Sequence, residues 1–265
     1  MSLLDAFVLG AVQGLTEFLP LSSSGHLVLG QRLLGAGMPG AAFEAAAHAG
    51  TLLAVSLAFR ARIAEIVRGV ITGDQESVQM VLLLAIATLP VAATGLLLRH
   101  VVEPIFEQPQ TVAVLLLVTG GAVWSVRRTA ARSDQTTPGW RQALIIGCVQ
   151  AAALLPGISR SGSTLAAGTA LGVEPRRMAE FTFLLSIPAV MGALVLHIPE
   201  FVAVGDGGGL LPFVAGGSTA AATGAGAIVV FMKMIRGRVF HRWAWYCWAV
   251  GGAYLLASAI WPHLR

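Results

Sequence analysis

Glu17, Ser22, Ser23, Ser24 and His26 fall within ten positions of a chain otherwise rich in alanine, leucine and valine, in the stretch GLTEFLPLSSSGHLVLG (14–30). A second polar island, LPGISRSGST (155–164), carries Ser159, Arg160, Ser161 and Thr164. A carboxylate, an imidazole, a row of hydroxyls and a guanidinium are groups that hold a phosphate and move a proton beside it. The guanidinium forks onto two phosphate oxygens, while hydroxyls and free backbone N–H groups serve the others. An imidazole that titrates near neutrality can exchange a proton with a leaving oxygen.

The residues between these groups predict how they are positioned. Pro20 has no N–H and disfavours helix at the residue before it, so an entering helix ends near Leu19. Ser22, Ser23 or Ser24 can cap the next helix, whose free N–H groups and positive dipole end favour an anion. Gly25 lets backbone come close to a ligand. Gln13 and Glu17 stand at i, i+4 on one face of the entering helix. The second island repeats this design with Ser159, Ser161, Gly162 and Thr164, and adds Arg160. An unpaired charge at membrane depth costs at least about 2.5 kcal/mol. A plain Glu17–Arg160 ion pair would remove that cost, and a hydrogen-bonded core histidine would account for His26. Two hydroxyl rows and two capped helix starts exceed what those simpler roles require.

The rest of the chain predicts lipid as the solvent. Of 265 residues 56% are hydrophobic and 11% charged, against about 25% charged in a soluble domain. The opening MSLLDAFVLGAVQGL lacks the basic start and small-residue cleavage site of a secretory signal. Six stretches can span a bilayer at about 20 apolar residues each: 42–59, 77–98, 111–126, 178–197, 212–232 and 244–262. Placing 60–76 in the cytoplasm puts 127–141, 166–177 and 233–243 on the same side, with 13 of the 17 Lys and Arg residues. This asymmetry follows the positive-inside rule and places both termini outside the cytoplasm. The net charge of +4 therefore reads as topology, and no nucleic-acid partner is expected.

The stretches 5–30 and 142–168 must then enter and leave on one face, as re-entrant helical hairpins. They align at a constant offset of 137, pairing Gly10 with Gly147, Gln13 with Gln150, Ser22 with Ser159, Ser24 with Ser161 and Gly25 with Gly162. The expected fold is an all-α polytopic membrane protein, one integral membrane domain over 1–265. It has six transmembrane helices and two re-entrant hairpins, arranged as inverted-topology repeats over about 1–126 and 142–262. Broken helices of such repeats meet near the midplane, where irregular backbone must be buried or line a cavity.

With these residues in view, the chain resembles the undecaprenyl pyrophosphate phosphatases, also called bacitracin-resistance proteins. QGLTEFLPLSSSGH (13–26) and PGISRSGST (156–164) carry the resemblance, joined by FEAAAHAGTLLAV (43–55), EFTFLLSIPAVMG (180–192) and RWAWYCWAVGG (242–252). The likeness covers essentially the whole chain. It implies removal of one phosphate from a C55 polyprenyl diphosphate, giving the carrier lipid of cell-wall synthesis, with consequences for cell shape and bacitracin resistance. It also implies a bacterial plasma membrane location, a site opening outward and a divalent cation, Mg²⁺ or Ca²⁺. Carried over by position, Glu17, Ser23, His26 and Arg160 are the catalytic residues. Ser22, Ser24, Gly25, Ser159, Ser161, Gly162 and Thr164 become the phosphate-binding groups. Glu17 and Gln13 are the candidate cation ligands, although Gln13 stands where many relatives have a second glutamate. Ser23 would attack the terminal phosphorus while His26 and Glu17 handle its proton; alternatively His26 activates a water. The expected partners are the lipid substrate and membrane lipids, with a homodimer left open.

A transporter or flippase of a lipid phosphate or small anion competes, because inverted repeats with broken helices are also carrier architecture. SSGH and SR resemble fragments of membrane acid phosphatase signatures, but the nucleophilic histidine expected six residues beyond the arginine is Ala166 here. Glu44 and His48, at i, i+4, form a capping or interfacial pair or else shape the mouth of the site. Cys148 and Cys247 predict neither a disulfide nor a metal site. Trp243, Trp245, Trp248 and Trp261 read as interfacial anchors.

Overall fold

The computed structural model of this chain describes residues 1–34, 41–196 and 210–261. Twelve α-helices make up most of the described residues. The first broken pair is α1 (Leu3–Phe18) and α2 (Ser23–Leu34). It is followed by α3 (Ala41–Ala58), α4 (Arg60–Thr72), α5 (Gln75–Leu97), the one-turn α6 (Arg99–Val102) and α7 (Pro109–Thr129). The second broken pair, α8 (Trp140–Ala152) and α9 (Arg160–Ala170), precedes α10 (Pro175–Leu196), α11 (Leu211–Arg236) and α12 (Trp243–Ile260).

Each of the six expected spans is a helix whose ends lie within about four residues of those read from the sequence. Pro109 and Pro212 sit in the first turn of α7 and α11, where the missing N–H is not needed. Pro175 opens α10 in the same way, and Pro199 lies outside the described residues. Four helices, α5, α7, α10 and α11, are long and apolar enough to cross a bilayer, and the bent pair α3–α4 makes a fifth. The protein is thus an all-helical, multi-pass membrane protein.

The segment after α3 is itself helical. Residues 60–72 form a helix bent by 73° from α3 at Phe59. Arg60, Arg62, Glu65 and Arg68 give α4 a polar character that α3 lacks, and the chain turns at Phe59 between them. Arg62 donates from Nε to Glu180 on α10 at 2.7 Å, tying the bend to the second half. Gly73, in the left-handed region at φ 76°, ends α4, and Asp74 caps α5 by accepting from the Ser77 N–H at 2.9 Å.

Small residues let the broken pairs approach long helices. α1 packs against α11 and α8 against α5. A side chain at Gly10 would run into the Gly216 backbone, and one at Gly147 into the Ala87 backbone. These two glycines are partners at the offset of 137, so the same close contact serves both halves. Phenylalanines join the helices: the Phe183 ring lies 5.8 Å from Phe18, 5.3 Å from Phe59 and 4.9 Å from Phe231.

Trp248 is not the interfacial anchor read from the sequence. It packs on Trp124 and donates from Nε1 to the Leu117 carbonyl at 3.1 Å, joining α12 to α7. Trp245 and Trp261 remain exposed, as an anchor requires. Cys148 and Cys247 are free, and buried Cys247 faces the Pro20 carbonyl.

Candidate active site

The backbone at the first break follows from Pro20. Leu19, the residue before it, is extended at φ −67° and ψ 153°, and α1 stops there. Ser22 then adopts φ 65°, a left-handed conformation that costs a non-glycine residue about 1–3 kcal/mol. What holds it there is its hydroxyl. Ser22 Oγ accepts from the Gly25 N–H at 3.3 Å, capping α2, and from the Gly157 N–H at 3.0 Å. At the second break Ser159 caps α9 in the same manner, accepting from the Gly162 N–H at 3.2 Å. Each cap hydroxyl also faces the serine two residues on, Ser24 at 3.5 Å and Ser161 at 3.3 Å. The two breaks therefore share the capping serine and its serine neighbour, although Ser159 stays extended at φ −76° where Ser22 is left-handed.

The breaks also touch. Besides the Ser22–Gly157 contact, Ser161 Oγ donates to the Leu19 carbonyl at 3.2 Å. Gly157, at φ 100°, fits where any side chain would strike α7. Thr119 of α7 donates to the Gly157 carbonyl at 2.7 Å and accepts from the Ser159 N–H at 2.9 Å.

At this junction Glu17 collects the reactive groups. Its Oε1 accepts from Arg160 Nη2 at 2.7 Å, across 143 positions of sequence. Its Oε2 accepts from Ser23 Oγ at 2.7 Å and from Gln13 Nε2 at 3.0 Å. The side chains of Glu17 and Arg160 are 9% and 14% exposed, so the pair is nearly dry. Arg160 Nη1 is buried with no hydrogen-bond partner among the described residues. A guanidinium with one edge on a carboxylate and the other edge free is set to receive an anion.

These groups line a cavity of about 320 Å³. Gln13, Glu17, Ser22, Ser23, Ser24, Ser159 and Arg160 face it, while Val91, Leu154, Val190, Ala193 and Leu194 make an apolar wall. A polar floor beside an apolar wall suits an amphiphile with a charged head.

The other expected site residues are placed differently. His26 does not meet Ser23 or Glu17. Its Nδ1 lies 2.9 Å from the Ser22 carbonyl, which can only accept, so Nδ1 carries the proton. Its Nε2 then accepts from the Tyr246 hydroxyl at 3.0 Å, with the rings stacked at 5.6 Å and 15°. Hydrogen bonds to both ring nitrogens turn the imidazole toward α12, away from the cavity. Ser161 and Thr164 use their hydroxyls inside the protein, Thr164 Oγ1 donating to the Arg160 carbonyl at 2.8 Å and facing Thr182 at 3.1 Å. Gly25 leaves room for Gly157, whose Cα would lie 3.0 Å from a Cβ there, and Gly162 for Pro20 and Val123. Ser161, Gly25 and Gly162 hold the two breaks together, Thr164 ties α9 to α10, and none of the four lines the cavity.

Two residues took a smaller part in the sequence reading than in the structure. His48 lines the cavity, with Nε2 at 3.5 Å from Gln13 Nε2 and Nδ1 at 2.8 Å from the Glu44 carbonyl. Its i, i+4 spacing from Glu44 was visible, but the face it presents depends on how α3 packs. Gln150, matched to Gln13 by the repeat, also faces the cavity.

The donors do not fit a preformed cage for Mg²⁺ or Ca²⁺, which ask for about six or more oxygens. Both Glu17 oxygens are already engaged, Gln13 points its amide nitrogen at Glu17, and no group of three or more His, Cys, Asp and Glu gathers among the described residues.

Ser22 and Ser23, adjacent in sequence, divide structure from chemistry. Ser22→Ala removes the acceptor for two buried N–H groups and should cost about 1–3 kcal/mol of stability. A thermal or denaturant unfolding series on purified protein checks this; an unchanged midpoint would mean that the cap is dispensable.

Comparison with known proteins places the chain in a family. The family model described as "Bacitracin resistance protein BacA" matches residues 6–253. A protein of Gemmatimonas aurantiaca named undecaprenyl-diphosphatase is 41% identical, covering 93% of this chain and 94% of its own. Proteins of the same name from Desulforapulum autotrophicum and Methanosphaera stadtmanae are 37% and 36% identical, each over 98% of this chain. Two mated helix breaks with one buried carboxylate, serine and guanidinium between them thus accompany a full-length match, and the chain belongs to the bacitracin resistance protein BacA family.

Proposed function

We propose that this protein is an integral membrane phosphatase that hydrolyses undecaprenyl (C55) diphosphate to undecaprenyl phosphate and orthophosphate. The observation that carries this is the free edge of Arg160 in a buried cavity whose floor joins Ser23 to Glu17. The terminal phosphate lies against Arg160 Nη1, and the lipid leaves along the apolar wall.

Ser23 Oγ attacks the terminal phosphorus as the bridging P–O bond breaks, and its proton passes to Glu17 Oε2, 2.7 Å away. The lipid monophosphate departs with the electron pair of that bond. Water then attacks the phosphoserine, Glu17 relays the protons, and orthophosphate and Ser23 O–H are restored. Phosphoryl transfer needs mainly positioning and charge stabilisation, which the capped breaks and Arg160 supply. Glu17 takes the proton rather than His26, because the imidazole is bonded to Ser22 and Tyr246. His26 thereby positions the start of α2.

The architecture around this site is six spans and two re-entrant hairpins in inverted repeat, in the bacterial plasma membrane, with both termini outside and the cavity opening outward. Support comes from the basic-residue asymmetry and the matched breaks. Detergent-solubilised protein should release phosphate from C55 diphosphate with no gradient present, and more slowly from C15 diphosphate; loss of that release on adding a chelator would assign the implied divalent cation to the reaction. Vectorial lipid movement in proteoliposomes without phosphate release would overturn the enzyme in favour of a carrier.

A further inference from the structure

Gln150 presents a problem that the reaction above does not solve. It is 2% exposed, and both its amide oxygen and its amide nitrogen lack a hydrogen-bond partner among the described residues. Burying a carboxamide without partners is costly, and native proteins leave few such groups without a reason. Its repeat counterpart shows what is missing. Gln13 is equally buried but donates to Glu17 and reaches His48. At the same offset of 137, the place of Glu17 is taken by Leu154. The second half thus keeps the amide and replaces its carboxylate partner with a hydrocarbon.

What remains for Gln150 to bond is the content of the cavity. It lines the same space as Arg160 and Glu17. It belongs to α8, which packs on α5, and these two helices supply Leu154 and Val91 to the apolar wall. Ser23 and Arg160 fix the terminal phosphate at the polar end. A diphosphate whose lipid runs along the apolar wall then passes its second phosphate by the α8 side.

We infer that Gln150 is the group that recognises the second, lipid-bearing phosphate, hydrogen-bonding its oxygens and distinguishing a diphosphate from a monophosphate. The inference rests on the phosphatase reading and adds a specificity residue to it. A neutral carboxamide suits this position, since it adds a hydrogen bond without another charge to desolvate. A site built to bond a polar group rejects ligands that lack it, because its own buried atoms then stay unpaired.

The test compares wild type with Gln150→Leu and Gln150→Met, which keep the volume and remove the amide. The expected result is a rise in KM for C55 diphosphate of about tenfold or more with kcat changed less than threefold, the signature of lost uniform binding. Inorganic pyrophosphate should inhibit wild type more strongly than orthophosphate does, and that preference should disappear in both variants. Their melting temperatures without ligand should be equal to or above wild type, since the unpaired amide is gone. Folded variants with unchanged KM and unchanged pyrophosphate preference would overturn the assignment. So would a fall in kcat at constant KM, which would place Gln150 in the chemical step. If wild type releases no phosphate at all, the phosphatase reading fails instead. The pyrophosphate-induced shift in melting temperature, wild type against variant, still decides the role of Gln150.

Discussion

Arg160→Lys is expected to keep the protein folded and to lower kcat/KM by about 10³-fold or more, as loss of a transition-state guanidinium does in other phosphoryl transfers. The reason lies in the two edges of the side chain. One edge is spent on Glu17 at 2.7 Å, and the other is buried and free. A lysine ammonium can satisfy Glu17 but cannot also fork onto a phosphate. Arg160→Ala should lose as much activity and also about 3–5 kcal/mol of stability, because it strands a buried carboxylate. Replacing both partners, as Glu17→Gln with Arg160→Met, should recover most of that stability and none of the turnover. Steady-state phosphate release and unfolding midpoints on the four proteins separate the two effects. An Arg160→Lys enzyme within tenfold of wild type would remove Arg160 from the transition state.

Ser23→Ala should be the most damaging single change to the chemistry, lowering kcat by at least about 10³-fold, while stability changes by only about 1 kcal/mol. Among the described residues Ser23 makes one side-chain hydrogen bond, to Glu17, and caps no helix. Its loss therefore leaves the fold's own contacts intact, in contrast to Ser22, whose hydroxyl serves two backbone N–H groups. Rapid acid quenching with a terminally labelled diphosphate should trap phosphate on Ser23 in wild type and none in Ser23→Ala. A label on His26, or full turnover without any covalent species, would replace the serine mechanism with the histidine or water route.

The chain's local chemistry was legible in its sequence. The lengths of the apolar runs gave the six long helices, because helix formation in lipid depends on composition over about 20 residues. Pro20 and the Ser-Gly pairs marked both breaks, since a missing N–H and a capping hydroxyl act within a few residues. The spacing of 137 between matched groups showed that the breaks are one design used twice. A Glu17–Arg160 pair was already one reading of the sequence, because leaving either charge alone in an apolar protein is costly.

Other features required the neighbours. His26 is three residues beyond Ser23, yet its ring is drawn to Tyr246, 220 positions away. Ser161, Gly162 and Thr164 look like phosphate ligands in a motif, but the opposite break and α10 claim them. The bend at Phe59 and the exposure of His48 to the cavity likewise depend on which helix lies alongside. Residue types and their spacing determined where helices form, where they break and which charges must be paired, because those follow from short-range sterics and desolvation. Only the packed structure decided which hydroxyls and imidazoles face the cavity, because that is set by the rotation of each helix against partners distant in sequence.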